Sequence, residues 1–177
     1  TSGSFLYGWE GAHRQAQTLS EATGLPASST SLAFAGACHA LGIDTVSIAA
    51  SYPAEVATGF TTFLGGAGID VVDLLAHDIL TASDAGTLDG DALFDMVLDA
   101  DRPAAQAVLV PDTALHTIAW ISDLEQQIGK PVLTANQVTA WEGARLAGLT
   151  PHSDKLGGLF TAAPYAHARS DIPSRPR

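Results

Sequence analysis

Two rhythms of apolar residues alternate along this chain. Short, nearly unbroken apolar runs stand at 45–50 (TVSIAA), 70–75 (DVVDLL), 107–110 (AVLV) and 132–134 (VLT). Runs of that length, rich in β-branched residues, predict strands covered on both faces. Between them lie longer segments with helical spacing. Residues 13–23 (HRQAQTLSEAT) predict a polar surface helix ended by Gly24 and Pro26, and residues 27–30 a loop or weak strand. Residues 31–41 (SLAFAGACHAL) predict a close-packed helix with Gly42 as its C-cap. Residues 53–64 predict another, opened by Pro53, with Val56, Phe60, Phe63 and Leu64 on one face. Thr87 reads as the N-cap of a helix running to about residue 99, with Leu93, Phe94, Val97 and Leu98 inward. Residues 114–128 and 137–147 complete the set, stopped by Gly129 and Gly148.

Strand and helix in alternation, with short connections, predict an α/β fold: a parallel sheet flanked by helices on both faces. Such sheets bind ligands beyond the carboxyl ends of their strands. That places candidate functional residues around Ser51-Tyr52, Pro111-Asp112-Thr113 and Ala135-Asn136.

Composition narrows the function. Of 177 residues, 46% are hydrophobic and 15% charged, which describes a chain able to bury a core. Nineteen acids against eight bases give a net charge of −11, with no basic stripe. Nucleic acid and anionic membrane surfaces are therefore disfavoured as partners. No apolar run reaches the length of a membrane helix. The single cysteine, Cys38, allows no internal disulfide and fits a cytoplasmic location. The six histidines show no metal-ligand spacing, and there is neither a glycine-rich dinucleotide fingerprint nor a P-loop, so no metal and no cofactor is expected.

Each strand-end residue has two readings. Asp112 is a general base or a helix N-cap. His116, one predicted helical turn further on, shares a proton with Asp112 or lies on the surface. Tyr52 donates its phenol to a ligand or packs. Asn136, the only asparagine, is a natural N-cap at a strand-to-helix junction. Thr1-Ser2-Gly3-Ser4 is an anion-cradling turn or simply a chain end. Cys38 reads as a core thiol.

Several strings together resemble the maleate isomerase/arylmalonate decarboxylase family of the Asp/Glu racemase superfamily. Thr1-Ser2-Gly3-Ser4-Phe5 resembles the stretch after that family's first catalytic cysteine. Ser51-Tyr52-Pro53-Ala54-Glu55-Val56 resembles its strand-end tyrosine motif, and Asp112-Thr113-Ala114-Leu115-His116-Thr117 falls where its second cysteine stands. Ala22-Thr23-Gly24-Leu25-Pro26, Ile128-Gly129-Lys130-Pro131-Val132, Ala135-Asn136-Gln137 and Arg145-Leu146-Ala147-Gly148 add to the match, which covers residues 1 to about 160.

The resemblance implies two flavodoxin-like lobes facing each other across the active site. Residues 1–45 would end a truncated first lobe, 46–160 would form the second, and 161–177 a surface tail. The family's first strand and first cysteine position would lie upstream of Thr1. The implied activity is a cofactor-independent isomerase, racemase or decarboxylase acting on a small carboxylic or amino acid, as a monomer or homo-oligomer. Thr1, Ser2, Tyr52, Thr113, Ala114 and Asn136 would bind substrate, and Asp112 and His116 would be catalytic. Position 112 departs from the pattern, being Asp where the family has Cys. A carboxylate is the poorer nucleophile, so maleate isomerisation itself is not expected. The Asp-Thr-Ala-Leu-His-Thr string is closer to the branch named for ectoine utilisation. Two other readings stand beside this one: a hydrolase using Thr1 as an N-terminal nucleophile, and a ligand-binding relative without catalysis.

Overall fold

The structure, a computed structural model, describes residues 2–161. A 3-10 turn, Ser2–Tyr7, leads into α1 (Gly8–Thr23) and α2 (Thr30–Leu41). There follow β1 (Thr45–Ala50), α3 (Ala54–Gly66), β2 (Asp70–Ala76), the short α4 (Ala82–Ala85), α5 (Gly90–Ala100) and β3 (Ala107–Val110). The chain continues through α6 (Ile121–Ile128), β4 (Val132–Thr134), α7 (Ala135–Leu146) and the short α8 (Gly158–Thr161). The tail expected after residue 161 lies outside the described residues.

The four strands form one parallel sheet in the order β2-β1-β3-β4. That is the doubly wound order, reversing direction at β1/β3. Both faces are covered, as the unbroken apolar runs require. One face packs Val46, Ile48, Leu109 and Leu133 against Phe34 of α2, Phe60 and Phe63 of α3, and Val138 and Trp141 of α7. The other packs Ala49, Val108, Val110 and Val132 against Leu93, Met96 and Val97 of α5 and Leu124 of α6. The first cluster also takes in Phe5, Ala12 and Cys38, so one core spans residues on both sides of position 45. Among the described residues no helix is long and apolar enough to cross a membrane.

Local chemistry moves three boundaries. The first helix starts at Gly8, ahead of the polar stretch. Trp9 pulls this turn onto α3, its ring 5.2 Å from Phe63. A side chain at Gly66 would meet the Trp9 Cβ at 2.7 Å, so only glycine lets the two helices approach there. The cap of α5 is Asp89, which accepts from the Ala92 N–H at 3.0 Å; Thr87 instead donates its hydroxyl to the Asp84 carbonyl and closes α4. The largest correction concerns the helix expected over 114–128, which begins only at Ile121. Residues 111–120 are turns and extended backbone, because side chains take their polar groups before a helix can.

Candidate functional site

The irregular segment 111–120 begins at the carboxyl end of β3, in the middle of the sheet. Asp112 organises its start. One carboxylate oxygen, Oδ1, accepts from the Ala114 N–H at 2.8 Å, and the other, Oδ2, accepts from the Ser51 hydroxyl at the end of β1. The first bond closes a turn two residues on, the local habit of aspartate. The capping role expected of Asp112 is therefore real, but it caps a turn and not a helix. Asn136 is placed differently from the expectation as well. Thr134 is the N-cap of α7, in a capping box with Gln137. Asn136, two positions on, donates its amide to the Thr113 and Leu115 carbonyls, each at 3.2 Å. Those carbonyls are thus withdrawn from any helix over 113–120. Beneath, the buried Thr117 hydroxyl donates to Thr134 at 2.9 Å and ties the segment's far end to β4.

Strand register explains why these groups meet. Ile48 pairs with Leu109, so three residues further on Ser51 stands beside Asp112. Val110 pairs with Thr134, and from the first turn of α7 just beyond it Asn136 reaches the carbonyls of Thr113 and Leu115. On the other side Ala50 pairs with Ala76, and the His77 N–H continues the ladder to the Ala50 carbonyl at 3.0 Å. His77, Ser51, Asp112 and Asn136 form one row across the carboxyl ends of β2, β1, β3 and β4. Side chains alternate along a strand. Ala49 and Val110 share the α5-side core, and just past them Ser51 and Asp112 meet through their side chains.

Tyr52, next along from Ser51, turns to the opposite face and stacks on Phe5 of the 3-10 turn, ring centroids 6.2 Å apart. That turn is itself anchored: Ser4 donates to Ser29 at 2.6 Å, and the Phe5 N–H donates to the Ser31 hydroxyl at 3.1 Å. The Tyr52 hydroxyl is buried and has no hydrogen-bond partner among the described residues. Burial first, and the neighbouring Asp112 carboxylate second, hold the phenol well above the usual tyrosine range. Tyr52 therefore keeps its proton and presents a neutral O–H that can donate a hydrogen bond.

The structure thus gathers Tyr52, Asp112, Thr113, Ala114 and Asn136 at one edge of the sheet. It does not bring His116 to Asp112: without the expected helix, His116 is exposed and makes no hydrogen bond or ion pair among the described residues. Thr1 lies outside the described residues, and the side chain of Ser2 does too. The Ala114 N–H, expected near the reacting centre, is taken by Asp112. Thr113 is exposed, with its carbonyl held by Asn136. Sequence reasoning pointed to the region of Ser51 without giving the residue a role. A hydroxyl directly after a fully buried strand was the available signal.

Chemically, the row offers one carboxylate with lone pairs left over and a phenol donor beside it. A carboxylate can accept about four hydrogen bonds, and Asp112 has two recorded. This suits proton transfer to or from a substrate whose negative charge is met by O–H and N–H donors. The basic side chains recorded in ion pairs are engaged elsewhere, Arg102 with Asp73, Lys130 with Asp101 and Arg145 with Glu142. No group of three His, Cys, Asp or Glu residues suited to a metal ion occurs among the described residues. A separate cavity of about 440 Å³ lies between the α1–α2 link and α7, lined by Pro26, Ser29, Thr30, Thr139, Glu142 and Leu146 among others, and shares no residue with the row.

Comparison with known proteins gives a consistent result. A family model described as arylmalonate decarboxylase matches residues 1–160. The arylmalonate decarboxylase of Bordetella bronchiseptica is 29% identical over 132 residues, 73% of this chain and 55% of that protein. The chain thus spans about half the length of the curated relative it matches. A liganded double mutant of arylmalonate decarboxylase superposes with a TM-score of 0.86 at 27% identity, over 91% of this chain and 70% of that one. A maleate cis-trans isomerase mutant from Nocardia farcinica, with a covalently bound succinylcysteine intermediate, superposes at 0.83 and 21% identity, over 90% of this chain and 67% of that one, a likeness of fold.

Proposed function

Because the chain belongs to the arylmalonate decarboxylase family, we propose that it is a cofactor-independent decarboxylase, isomerase or racemase acting beside the carboxyl group of a small carboxylic or amino acid. The observation that carries this reading is Asp112, set between the Ser51 hydroxyl and the Ala114 N–H and beside the unpartnered phenol of Tyr52. Asp112 takes or gives the proton at the substrate carbon. Tyr52, Thr113 and the Thr1-Ser2 turn hold the substrate carboxylate, and Asn136 keeps the 113–115 segment in place. The two-lobe arrangement, with residues 1–45 ending the first lobe, and a cytoplasmic location belong to the same proposal.

Charge narrows the substrate. A bare carboxylate in contact with an ionised Asp112 suffers repulsion of roughly 1 to 4 kcal/mol, depending on the effective dielectric. A substrate that presents an amine or amidine to Asp112, as an ectoine-type amino acid does, turns that repulsion into attraction. This favours an amino acid over a dicarboxylate and agrees with a role in ectoine utilisation.

The test is incubation of the protein in deuterated buffer with phenylmalonate, maleate and a panel of α-amino acids, followed by proton NMR and carbon dioxide release. Deuterium entering the carbon beside a carboxyl group, or loss of carbon dioxide, is expected for at least one of them. Calorimetric binding of these compounds with no turnover of any would reject the enzyme and leave a ligand-binding relative.

A further inference from the structure

We infer that Gln137 is a positioning residue for Asp112: it docks the segment 153–160 onto the first turn of α7 and so fixes the turn that holds Asp112 in place. This rests on the reading of Asp112 as the proton-moving group and goes beyond it by naming what sets its place from the far side of β4. Gln137 is completely buried, and both ends of its amide are engaged. Its Oε1 accepts from the Thr134 N–H at 3.1 Å, which is half of the capping box that starts α7. Its Nε2 donates to the Leu156 carbonyl at 2.7 Å, 19 residues along the chain. Capping a helix does not require that second bond. It ties the first turn of α7 to a separate piece of backbone.

That piece is a strap seated on α6. The Ser153 N–H donates to the Phe160 carbonyl at 3.1 Å and closes it into a loop. Ser122 donates to the Lys155 carbonyl at 3.1 Å, and Glu125 accepts from the Gly158 N–H at 2.8 Å. Leu159 and Phe160 are buried in the cluster that holds Leu133, Val138 and Trp141. The fit is close at Gly157, φ 73°, where a Cβ would meet Ile121 Cγ2 at 2.6 Å and the Glu125 carboxylate at 2.7 Å. On the site side, the same turn of α7 grips the Asp112 segment twice. Asn136, next to Gln137, takes the Thr113 and Leu115 carbonyls, and Thr134 receives the Thr117 hydroxyl at 2.9 Å. Those two carbonyls flank Ala114, whose N–H is the one given to Asp112 Oδ1. Each link from Leu156 to Asp112 is therefore a hydrogen bond or a neighbour in the chain, and a buried network whose members are all paired is rigid. No bond is made or broken by Gln137.

Three variants of the full chain provide the test. Gln137→Met keeps the apolar volume and removes both amide bonds. Gln137→Glu, held neutral by burial, can still accept from the Thr134 N–H and donate to the Leu156 carbonyl. Gly157→Ala disturbs the strap from the α6 side and touches neither α7 nor the site. Amide NMR well below each variant's Tm gives the first reading. Gln137→Met and Gly157→Ala should both move the Ala114 amide resonance, and Gln137→Glu should leave it near its wild-type position. An Ala114 resonance that ignores Gln137→Met, or that moves with it and ignores Gly157→Ala, would overturn the inference. Should Gln137→Met fail to fold, Gly157→Ala alone decides. Activity supplies a second arm. Gln137→Met should lower kcat by about 10- to 100-fold, the scale of a misplacement of about 1 Å, and Gln137→Glu should recover most of it. Equal losses in the two folded variants would mark Gln137 as packing only. A protein with no turnover at all would defeat the functional reading above, and the Ala114 resonance would still decide this one.

Discussion

Replacing Asp112 by asparagine separates its chemistry from its place in the fold. The side chain keeps its shape, its oxygen can still accept from the Ala114 N–H, and its new amide can donate to the Ser51 hydroxyl, which rotates to accept. What is lost is the charge. Two charge-assisted hydrogen bonds, each about 1.5 to 3 kcal/mol, become neutral ones of about 0.5 to 1.5. The variant no longer has to desolvate a half-buried carboxylate, which offsets most of that difference. The net change is about 1 kcal/mol or less, a shift of roughly 2 to 4 °C in Tm for a chain of this size. Activity should instead fall by at least about 100-fold, the low end for a lost acid–base group. Asp112→Ala is the contrasting case. It strips the acceptor from the buried Ser51 hydroxyl and from the Ala114 N–H. At about 1 to 3 kcal/mol for each unmet group, discounted where water reaches the half-buried Ala114, the loss is roughly 2 to 4 kcal/mol. That corresponds to a Tm lower by roughly 4 to 16 °C. Thermal unfolding followed by circular dichroism, run beside the turnover assay, reads both quantities. An asparagine variant that keeps full activity, or that loses stability and activity in parallel, would show that Asp112 is structural.

Three other outcomes are expected. Tyr52→Phe should leave Tm unchanged or raise it by a few degrees, because it deletes a buried hydroxyl that has no partner, and should weaken binding of a carboxylate ligand by about tenfold or more; paired melting and calorimetry would check both signs. Asn136→Ala should cost about 1 to 2 kcal/mol for its two amide bonds and speed hydrogen exchange of residues 112–117 selectively, whereas exchange that rises evenly over the molecule would contradict the bracing role. Burial pushes the Cys38 thiol from its ordinary value of 9.0 up to about 12, so between those values the folded state holds a proton that the unfolded chain releases. Its contribution to stability is complete below pH 9 and is lost as pH rises toward 12; denaturant titrations of the wild type and Cys38→Ala should therefore converge over that window, and parallel curves would refute this.

Three of the strands, β1, β3 and β4, were legible because both of their faces are buried, and the edge strand β2 kept a run of the same kind. An unbroken run such as AVLV admits little else, and the carboxyl ends of four such strands mark where ligands go. That rule singled out Tyr52, Asp112 and Asn136, and the structure places them at the carboxyl edge of the sheet. The rule fails on the segment after Pro111, where Leu115 and Ile121 keep an apolar spacing that imitates a helix. Here the outcome turns on hydrogen bonds with Asn136 and Thr134, which come from distant parts of the chain and leave no periodic trace. Sequence distance misleads in the same way for the histidines. His116 is close to Asp112 in sequence, whereas His77 reaches the row only through the register of β2 on β1, and that register includes a bulge at Val46/Ser47. Sequence spacing carries no information about a neighbour supplied by a different strand.

The row across the four strand ends also couples recognition to folding. No two of its members come from the same strand, and each crossover between them passes through a helix. A partly assembled sheet therefore offers only part of the row, and a molecule that bridges all of it finds it only in the finished fold. Such a ligand at a hundred times its Kd would deepen the native well by about 2.7 kcal/mol. The melting temperature then acts as a detector that needs no knowledge of the reaction: compounds can be sorted by how far each one delays the collapse of the whole sheet.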